Sequence, residues 1–350
     1  MNINETLASF LEENKPLKVH ESNTELNNKL IIFLNSDINK KQTQAENLVK
    51  EIMEHHKKGD LAKHTGELYK VESATMSLTG KRDHVVHAIN TFILGLYINV
   101  KYLNKEVDLF QWKLASLFHD IAYPLEISQK IIERYYEKVH EIQKGINGDD
   151  NVSIKMDLFP KNFECLSNNI SSFDIFQKRI SEWEIKKICI EQKYDEMIKN
   201  NKLNHGIISS LTVLYLVDLM YKKNNPKRKY EYINVGGSDW NQKHFEGDIV
   251  SACSAIYLHN LHHTNFFAKC KDKSKLVYLL KLCDELQNWE RSNNLVSEED
   301  SPKTYDIEIL DGKLYFKIKL EDSRNKIYKK IACLNDNSIQ VVEEFNEDGK

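Results

Sequence analysis

Leu114-Ala-Ser-Leu-Phe-His119-Asp120-Ile-Ala-Tyr-Pro124 is the stretch on which the reading of this chain turns. It closes the segment Val107–Tyr123, in which Leu109, Phe110, Leu114, Leu117, Phe118 and Ile121 recur at helical spacing. The segment reads as a buried helix that ends in an imidazole beside a carboxylate. A charged carboxylate next to an imidazole in an apolar helix is costly unless something compensates both. A metal ion is one such partner, because neutral imidazole and carboxylate are natural ligands for Zn, Mn, Fe, Co or Ni. The His-Asp dipeptide alone carries little, since about one is expected by chance in a chain of this composition. Its place at the end of an apolar helix gives it weight.

Outward from this stretch the chain divides by pattern. On the N-terminal side Val85, Ala88, Ile89, Phe92 and Leu96 mark a second buried helix. Residues 1–80 read as a polar helical segment with one amphipathic helix, Thr43–His56, whose apolar face is Leu48, Val49, Ile52 and Met53. Thr43 and Glu46 have capping-box spacing, which predicts a start at Thr43. On the C-terminal side residues 125–203 are more polar, with charged helical segments at Ile131–Ile142 and Arg179–Lys199 around a loop at 145–151. They read as an insertion that packs over the core. Core character returns in Ile207–Tyr221, then a loop with Lys227–Lys229 and Gly236-Gly237, then helices at about 248–261 and 273–291. From Thr304 the period becomes two: Ile307 and Ile309, a turn at Asp311-Gly312, then Leu314, Phe316, Ile318 and Leu320. The expected architecture is mainly α: a helical domain at 81–295 with its insertion, preceded by 1–80 and followed by a small β-containing module at 296–350.

Composition agrees and excludes several classes. Gly 12 and Pro 5 make roughly 5% of 350 residues, well under the usual ~12%, so elements should be long and uninterrupted. Lys+Arg 49 against Asp+Glu 52 leaves a charge of −3, which argues against a protein whose main business is wrapping a nucleic-acid backbone, since that normally leaves a strongly basic footprint. No apolar run approaches the roughly 18 residues of a membrane span. The first thirty residues carry Glu5, Glu12 and Glu13 and lack an apolar signal core, so a cytoplasmic location is expected. Cys165, Cys189, Cys253, Cys270, Cys283 and Cys333 include no C-x-x-C pair and read as reduced thiols.

The thirteen histidines are the informative residues. His20, His55, His56 and His64 fall in polar surroundings and read as solvated. His87 lies among core-facing residues, His205 begins an apolar helix, and His259 ends one, with His262 and His263 at i+3 and i+4. Asp284 interrupts Leu279-Leu-Lys-Leu-Cys-Asp284-Glu-Leu, where Lys281 at i−3 offers it an ordinary surface partner. Any one of these is more often a hydrogen-bonded core residue than a ligand. Together they place a His or Asp on five apolar helices where the pattern predicts burial, and such residues are seldom buried without a partner.

The order His87, His119-Asp120, His205, His259, Asp284 resembles the HD-domain metal-dependent phosphohydrolases. The strings His-Asp-Ile-Ala-Tyr-Pro at 119–124, Asn-His-Gly at 204–206, Leu-His-Asn at 258–260 and Leu-Cys-Asp-Glu-Leu-Gln-Asn-Trp-Glu-Arg at 282–291 match as well. The resemblance spans about residues 81–291 and is specific to the superfamily but not to a substrate. It implies a helical bundle whose ligands meet in one cleft. By position His87, His119, Asp120 and Asp284 would hold one divalent transition metal. His205 and His259 would complete a second, with Asp120 bridging, so two ions per chain are expected. His84 competes with His87 for the first ligand, and the small Ala88 favours His87. His262 or His263 stands as an alternative to His259. Residues 1–80 and the β module match nothing in the family.

The chemistry that the resemblance implies is hydrolysis of a phosphoester, with a nucleotide or cyclic nucleotide as substrate class. Two adjacent cations lower the pKa of a bound water and offset charge during in-line displacement. Asp120 and, if it is not a ligand, His84 would be the catalytic residues, His84 as proton donor to the leaving group. Lys81, Arg82, Tyr123, His262, His263 and Arg291 are the substrate-binding candidates nearest the ligands in sequence. Lys130, Arg134, Tyr135 and Tyr136 in the insertion could also meet a polyanionic ligand, or the insertion could serve a homo-oligomer. Trp289 reads as core. Two other readings share the ligand set: a metal-bearing nucleotide sensor without catalysis, and a di-iron oxygenase.

Overall fold

The computed structural model describes residues 2–17, 25–54, 84–130, 161–165, 170–185, 188–224, 244–261, 264–287, 289–290, 304–318, 334 and 336–343. The helices are α1 (Ile3–Asn14), α2 (Glu25–Leu34), α3 (Ile38–Glu54), α4 (His84–Lys101), α5 (Leu109–Phe118), α6 (Ser172–Glu182), α7 (Ile190–Lys199), α8 (His205–Asn224), α9 (Val250–His259), α10 (Thr264–Lys273) and α11 (Lys275–Leu286). Residues 123–130 are also helical, and one π-helical turn, Phe245–Ile249, leads into α9. The fold is mainly α.

Sequence chemistry explains where the central elements begin. Asp108 caps α5, its carboxylate accepting from the Phe110 and Gln111 backbone N–H at 2.8 and 3.0 Å. In α4 the residues from His84 to Asn99 are all buried, as expected of a helix that is apolar on every side. It packs against α5 and α11, α5 and α11 both pack against α9, and α9 packs against α8. Phe92, Trp112, Phe118, Tyr257 and Leu279 fill the space between them. Burying each such side chain contributes about 1.5–3 kcal/mol relative to exposure. These helices therefore converge on one interior, and His87, His119, Asp120, His205, His259 and Asp284 are each on one of them or just past its end.

The flanking segments join the same core. Helix α3 lies on α4 and α5, and α1 lies on α4 and on β3 (Thr304–Leu310). Strand β3 pairs antiparallel with β4 (Lys313–Ile318), with Ile307 opposite Phe316 and Ile309 opposite Leu314. The turn between them puts Asp311 at φ 49° and Gly312 at φ 70°, the left-handed pair that a tight hairpin needs. Strand β5 (Ile339–Glu343) adds to β4 in parallel. Earlier in the chain β1 (Glu164–Cys165) and β2 (Ile170–Ser171) form a short antiparallel pair.

Several boundaries differ from the sequence reading. Helix α3 starts at Ile38, five residues before Thr43, because Asp37 O already accepts from Lys41 N. Lys41 is drawn inward there, its ammonium reaching Glu290 at 2.6 and 2.7 Å. The segment expected at Arg179–Lys199 is two helices, α6 and α7. Ser171 caps the first, and the break after it is held by Gln177, which accepts from Ile190 N and donates to Ile188 O, both at 3.0 Å. The helix expected to reach residue 291 stops at Leu286, since Gln287 and Glu290 turn back to other partners. The reading also missed β5. The expected segment Ile131–Ile142, the loops at 145–151, 227–229 and 236–237, and Leu320 lie outside the described residues. So do His20, His55, His56, His64 and Cys333. Among the described residues, no helix is long and apolar enough to cross a membrane.

Candidate metal centre

Asp120 sits at the middle of the convergence, and its two oxygens face different sets of imidazoles. Oδ2 lies 3.7 Å from His87 Nε2 and 3.7 Å from His119 Nε2. Oδ1 lies 3.1 Å from His205 Nε2 and 3.7 Å from His259 Nε2. Asp284 Oδ1 completes the first group, 3.2 Å from His87 Nε2 and 3.7 Å from His119 Nε2. Two groups able to hold a metal ion result: His87, His119, Asp120 and Asp284, and Asp120, His205 and His259. Lys281, the surface partner that Asp284 was offered in the sequence, pairs with Glu285 instead.

The rings are oriented from behind. His119 Nδ1 donates to Ser116 O at 2.9 Å and His259 Nδ1 to Ile256 O at 2.6 Å, each one turn back on its own helix. His87 Nδ1 meets the Gln287 amide oxygen, and His205 Nδ1 meets Glu126 Oε2 at 2.7 Å. An acceptor at each Nδ1 holds a proton there and turns Nε2 inward, the orientation that metal-binding histidines use. His87 Nε2 and His119 Nε2 then face each other at 3.2 Å with the Asp284 carboxylate beside them. Acceptors so crowded repel unless a proton or a metal ion stands among them, and Asp120 and Asp284 raise His119 against its burial. Adjacent ligands with bonds of about 2.1 Å to one ion lie about 3.0–3.4 Å apart in octahedral or tetrahedral geometry, close to the separations here. Among the described residues Asp120 Oδ1 and His259 Nε2 are both buried and point into the cluster, 3.7 Å apart and too far for a hydrogen bond to each other. The residues present fit a metal ion at each group.

Charge in the cluster follows from burial and proximity. Burial would raise the Asp120 and Asp284 carboxyls, yet the surrounding imidazoles hold both well below the usual carboxylate range. Burial lowers His259 and keeps it neutral. Burial opposes charge on His205 as well, but Asp120 and Glu126 outweigh it and push it up to about 9. Below that pH a cation entering the His205/His259 group must displace a proton. Mn²⁺ affinity there is expected to rise about tenfold per pH unit up to about 9 and then level off. Titrations between about pH 6.5 and 8.5 check this, and a flat profile would contradict it.

Local sequence explains the quoted strings. Asn204 Oδ1 accepts from Ile207 N at 3.2 Å and so caps α8, which puts His205 in its first turn. A side chain at Gly206 would meet His259 Cε1 at 2.9 Å and Ile256 O at 3.0 Å, so glycine lets α8 approach the His259 ring. His84 is not in either group: its Nδ1 lies 3.0 Å from Asp120 Oδ2, and its ring is 4.0 Å from the ring of Tyr123. Tyr123 is half-buried at the edge of the cluster, its ring also 5.2 Å from that of His205. Trp289 is buried. Lys81, Arg82, His262, His263, Arg291, Arg134, Tyr135 and Tyr136 lie outside the described residues.

Glu126 and Gln287 are the site residues that sequence reasoning missed. Gln287 stands three residues after Asp284, a helical spacing that puts both on one side of the end of α11 and could have marked it. Glu126 had only its closeness in sequence to His119-Asp120. Comparison of the chain with family models, with curated proteins and with solved structures finds no match. The geometry of the chain itself therefore defines the site as two His/Asp groups, joined at Asp120, that could each hold a metal ion.

Proposed function

We propose that the chain is an HD-type metal-dependent phosphohydrolase acting on a phosphoester of the nucleotide or cyclic-nucleotide class. The observation that carries the reading is Asp120, which turns one oxygen to each of two imidazole groups. A carboxylate so placed is suited to bridge two cations. His87, His119 and Asp284 would hold one divalent transition metal, and His205 and His259 the other. When bound, such ions supply the Lewis acidity that makes water nucleophilic near neutral pH and offsets charge on a phosphoryl group.

The chain's own residues supply orientation and proton handling. Ser116 O, Ile256 O, Gln287 and Glu126 keep the four Nε2 atoms aimed inward. His84, whose Nδ1 donates to Asp120 Oδ2, would act from its imidazolium form, handing its Nε2 proton to the leaving oxygen and keeping the proton on Nδ1. The Tyr123 ring packs beside His84 and would fix its orientation while lining the edge that a substrate meets. Lys81, Arg82, His262, His263 and Arg291 belong to this reading as partners of the phosphate oxygens. The choice of nucleotides as substrate class rests on the resemblance of the ligand order.

Elemental analysis joined to a phosphate-release screen across nucleotides and cyclic nucleotides tests the reading. Two metal ions per wild-type chain and about one in His205→Ala are expected, with hydrolysis lost in the variant. Equal stoichiometry in both proteins would return His205 to the core. Full metal loading without phosphate release from any substrate would replace the hydrolase with a sensor.

A further inference from the structure

The two halves of the cluster are not alike in charge. The His87/His119 half has a carboxylate of its own, Asp284, and its rings are held from behind by neutral acceptors, Ser116 O and the Gln287 amide. Among the described residues, the His205/His259 half offers no carboxylate ligand except the shared Asp120. Its missing negative charge stands one bond further out. Glu126 is half-buried, and its Oε2 accepts from His205 Nδ1 at 2.7 Å and from His205 N at 3.4 Å. Asn260 Nδ2 lies 3.2 Å from the same ring nitrogen, but a charged carboxylate is the stronger and closer acceptor, so the proton points to Glu126. Lys130, one turn along the same helical segment, pairs with Glu126 and is itself half-exposed.

Resting on the two-ion reading above, we propose that Glu126 is a positioning residue that makes occupancy of the His205/His259 half possible. It fixes the His205 ring and lends the imidazole negative charge. Two divalent cations bring four positive charges against the carboxylates of Asp120 and Asp284, and Glu126 supplies the third negative charge within one imidazole of the cluster. A carboxylate behind a histidine raises the basicity of its far nitrogen, and removing such a partner typically costs 10–100-fold in metal affinity. The placement also gives the first turns of the insertion a function. Residues 123–130 are tied to the start of α8 by Glu126 and by Gln129, whose Oε1 accepts from Leu203 N at 2.9 Å and whose amide donates to Asn201 O.

The test uses the full chain and Mn²⁺ alone, with binding isotherms and elemental analysis as readouts. Wild type is expected to bind two ions. Glu126→Gln, which keeps an acceptor and loses the charge, should weaken one of them about 10–100-fold and leave the other unchanged. Glu126→Ala should lose that ion at Mn²⁺ concentrations that saturate wild type. Gln129→Ala, which loosens the same segment without touching His205, should keep both. Wild-type affinity for both ions in Glu126→Ala would overturn the proposal, and so would full rescue by Gln or the same loss in Gln129→Ala. Those outcomes leave the two-ion reading standing. A wild-type chain that binds no Mn²⁺, or a single ion that His205→Ala leaves in place, overturns that reading and the role of Glu126 with it.

Discussion

Asp120→Ala is expected to bind neither metal ion and to hydrolyse no phosphoester, while keeping the helical circular dichroism of wild type. Among the described residues the carboxylate is the group shared by both halves of the cluster, with Oδ2 toward His87 and His119 and Oδ1 toward His205 and His259. Without it two cations would face each other across imidazoles alone, with no anion between them. The fold should tolerate the change, because the side chain is small and its partners are polar groups of the site rather than core packing. Removing a buried ionised group also removes its desolvation cost in the metal-free chain. Asp120→Asn is the stricter form, since it keeps the shape and loses the charge. A second readout is thermal. Mn²⁺ at 100 times its dissociation constant should stabilise wild type by about 2.7 kcal/mol per site, and the melting temperature of either variant should not respond. Full metal content or wild-type turnover in Asp120→Ala would remove Asp120 from the centre of the site.

How much of this site was legible before the structure depends on which interactions are local. His119 and Asp120 could be read because a polar pair at the end of an apolar helix contradicts its own surroundings, and that contradiction is visible in one sequence. The same holds for Asp284 among leucines and for His87 among core residues. The choice between His84 and His87 was open, since one helical turn separates them and either could point inward. The packing of α4 decides which one joins the group: His87 Nε2 reaches Asp284, and His84 turns to Asp120 and Tyr123. The partners behind the rings were mostly hidden. Two are backbone carbonyls, which no side-chain pattern records. Gln287 is local to Asp284, whereas Glu126 reaches His205 across 79 positions of sequence.

The N-terminal segment shows the same limit in the fold. Its amphipathic stripe was readable, but its destination was not. Lys41, whose side chain is fully buried, forms its ion pair with Glu290. Asn4 and Asn90 also donate to Glu290, at 2.8 and 3.2 Å. Glu290 follows Gln287 by three residues and has a left-handed backbone at φ 57°. The pair that stops α11 early therefore lies 249 positions apart in sequence. Local helix propensity favoured continuing the helix through residue 291, and a tertiary ion pair with several donors overrode it.

Gly95→Ala is expected to destabilise the chain by about 3 kcal/mol or more, a large effect for one methyl group. A Cβ at position 95 would stand 1.8 Å from Trp112 Cζ2, 2.3 Å from Cε2 and 2.7 Å from Cη2. The indole cannot step aside easily. It is fully buried, it bridges α4 and α5, and its Nε1–H donates to Phe92 O at 3.0 Å. Relief must come from parting the two helices or tipping the ring out of its slot, and either breaks packing that the core cannot refill. The damage also reaches the candidate metal centre. Helix α4 carries His87, and α5 delivers His119 and Asp120 at its end, so a shift between them changes the 3.2 Å approach of His87 Nε2 to His119 Nε2. The variant should therefore melt at a lower temperature and bind metal more weakly in the His87/His119 half. Trp112→Phe, which removes part of the indole, should cost stability alone but should be less than additive with Gly95→Ala, because the two residues compete for one space. Strict additivity, or a Gly95→Ala variant as stable as wild type, would mean that α4 and α5 do not pack through this contact.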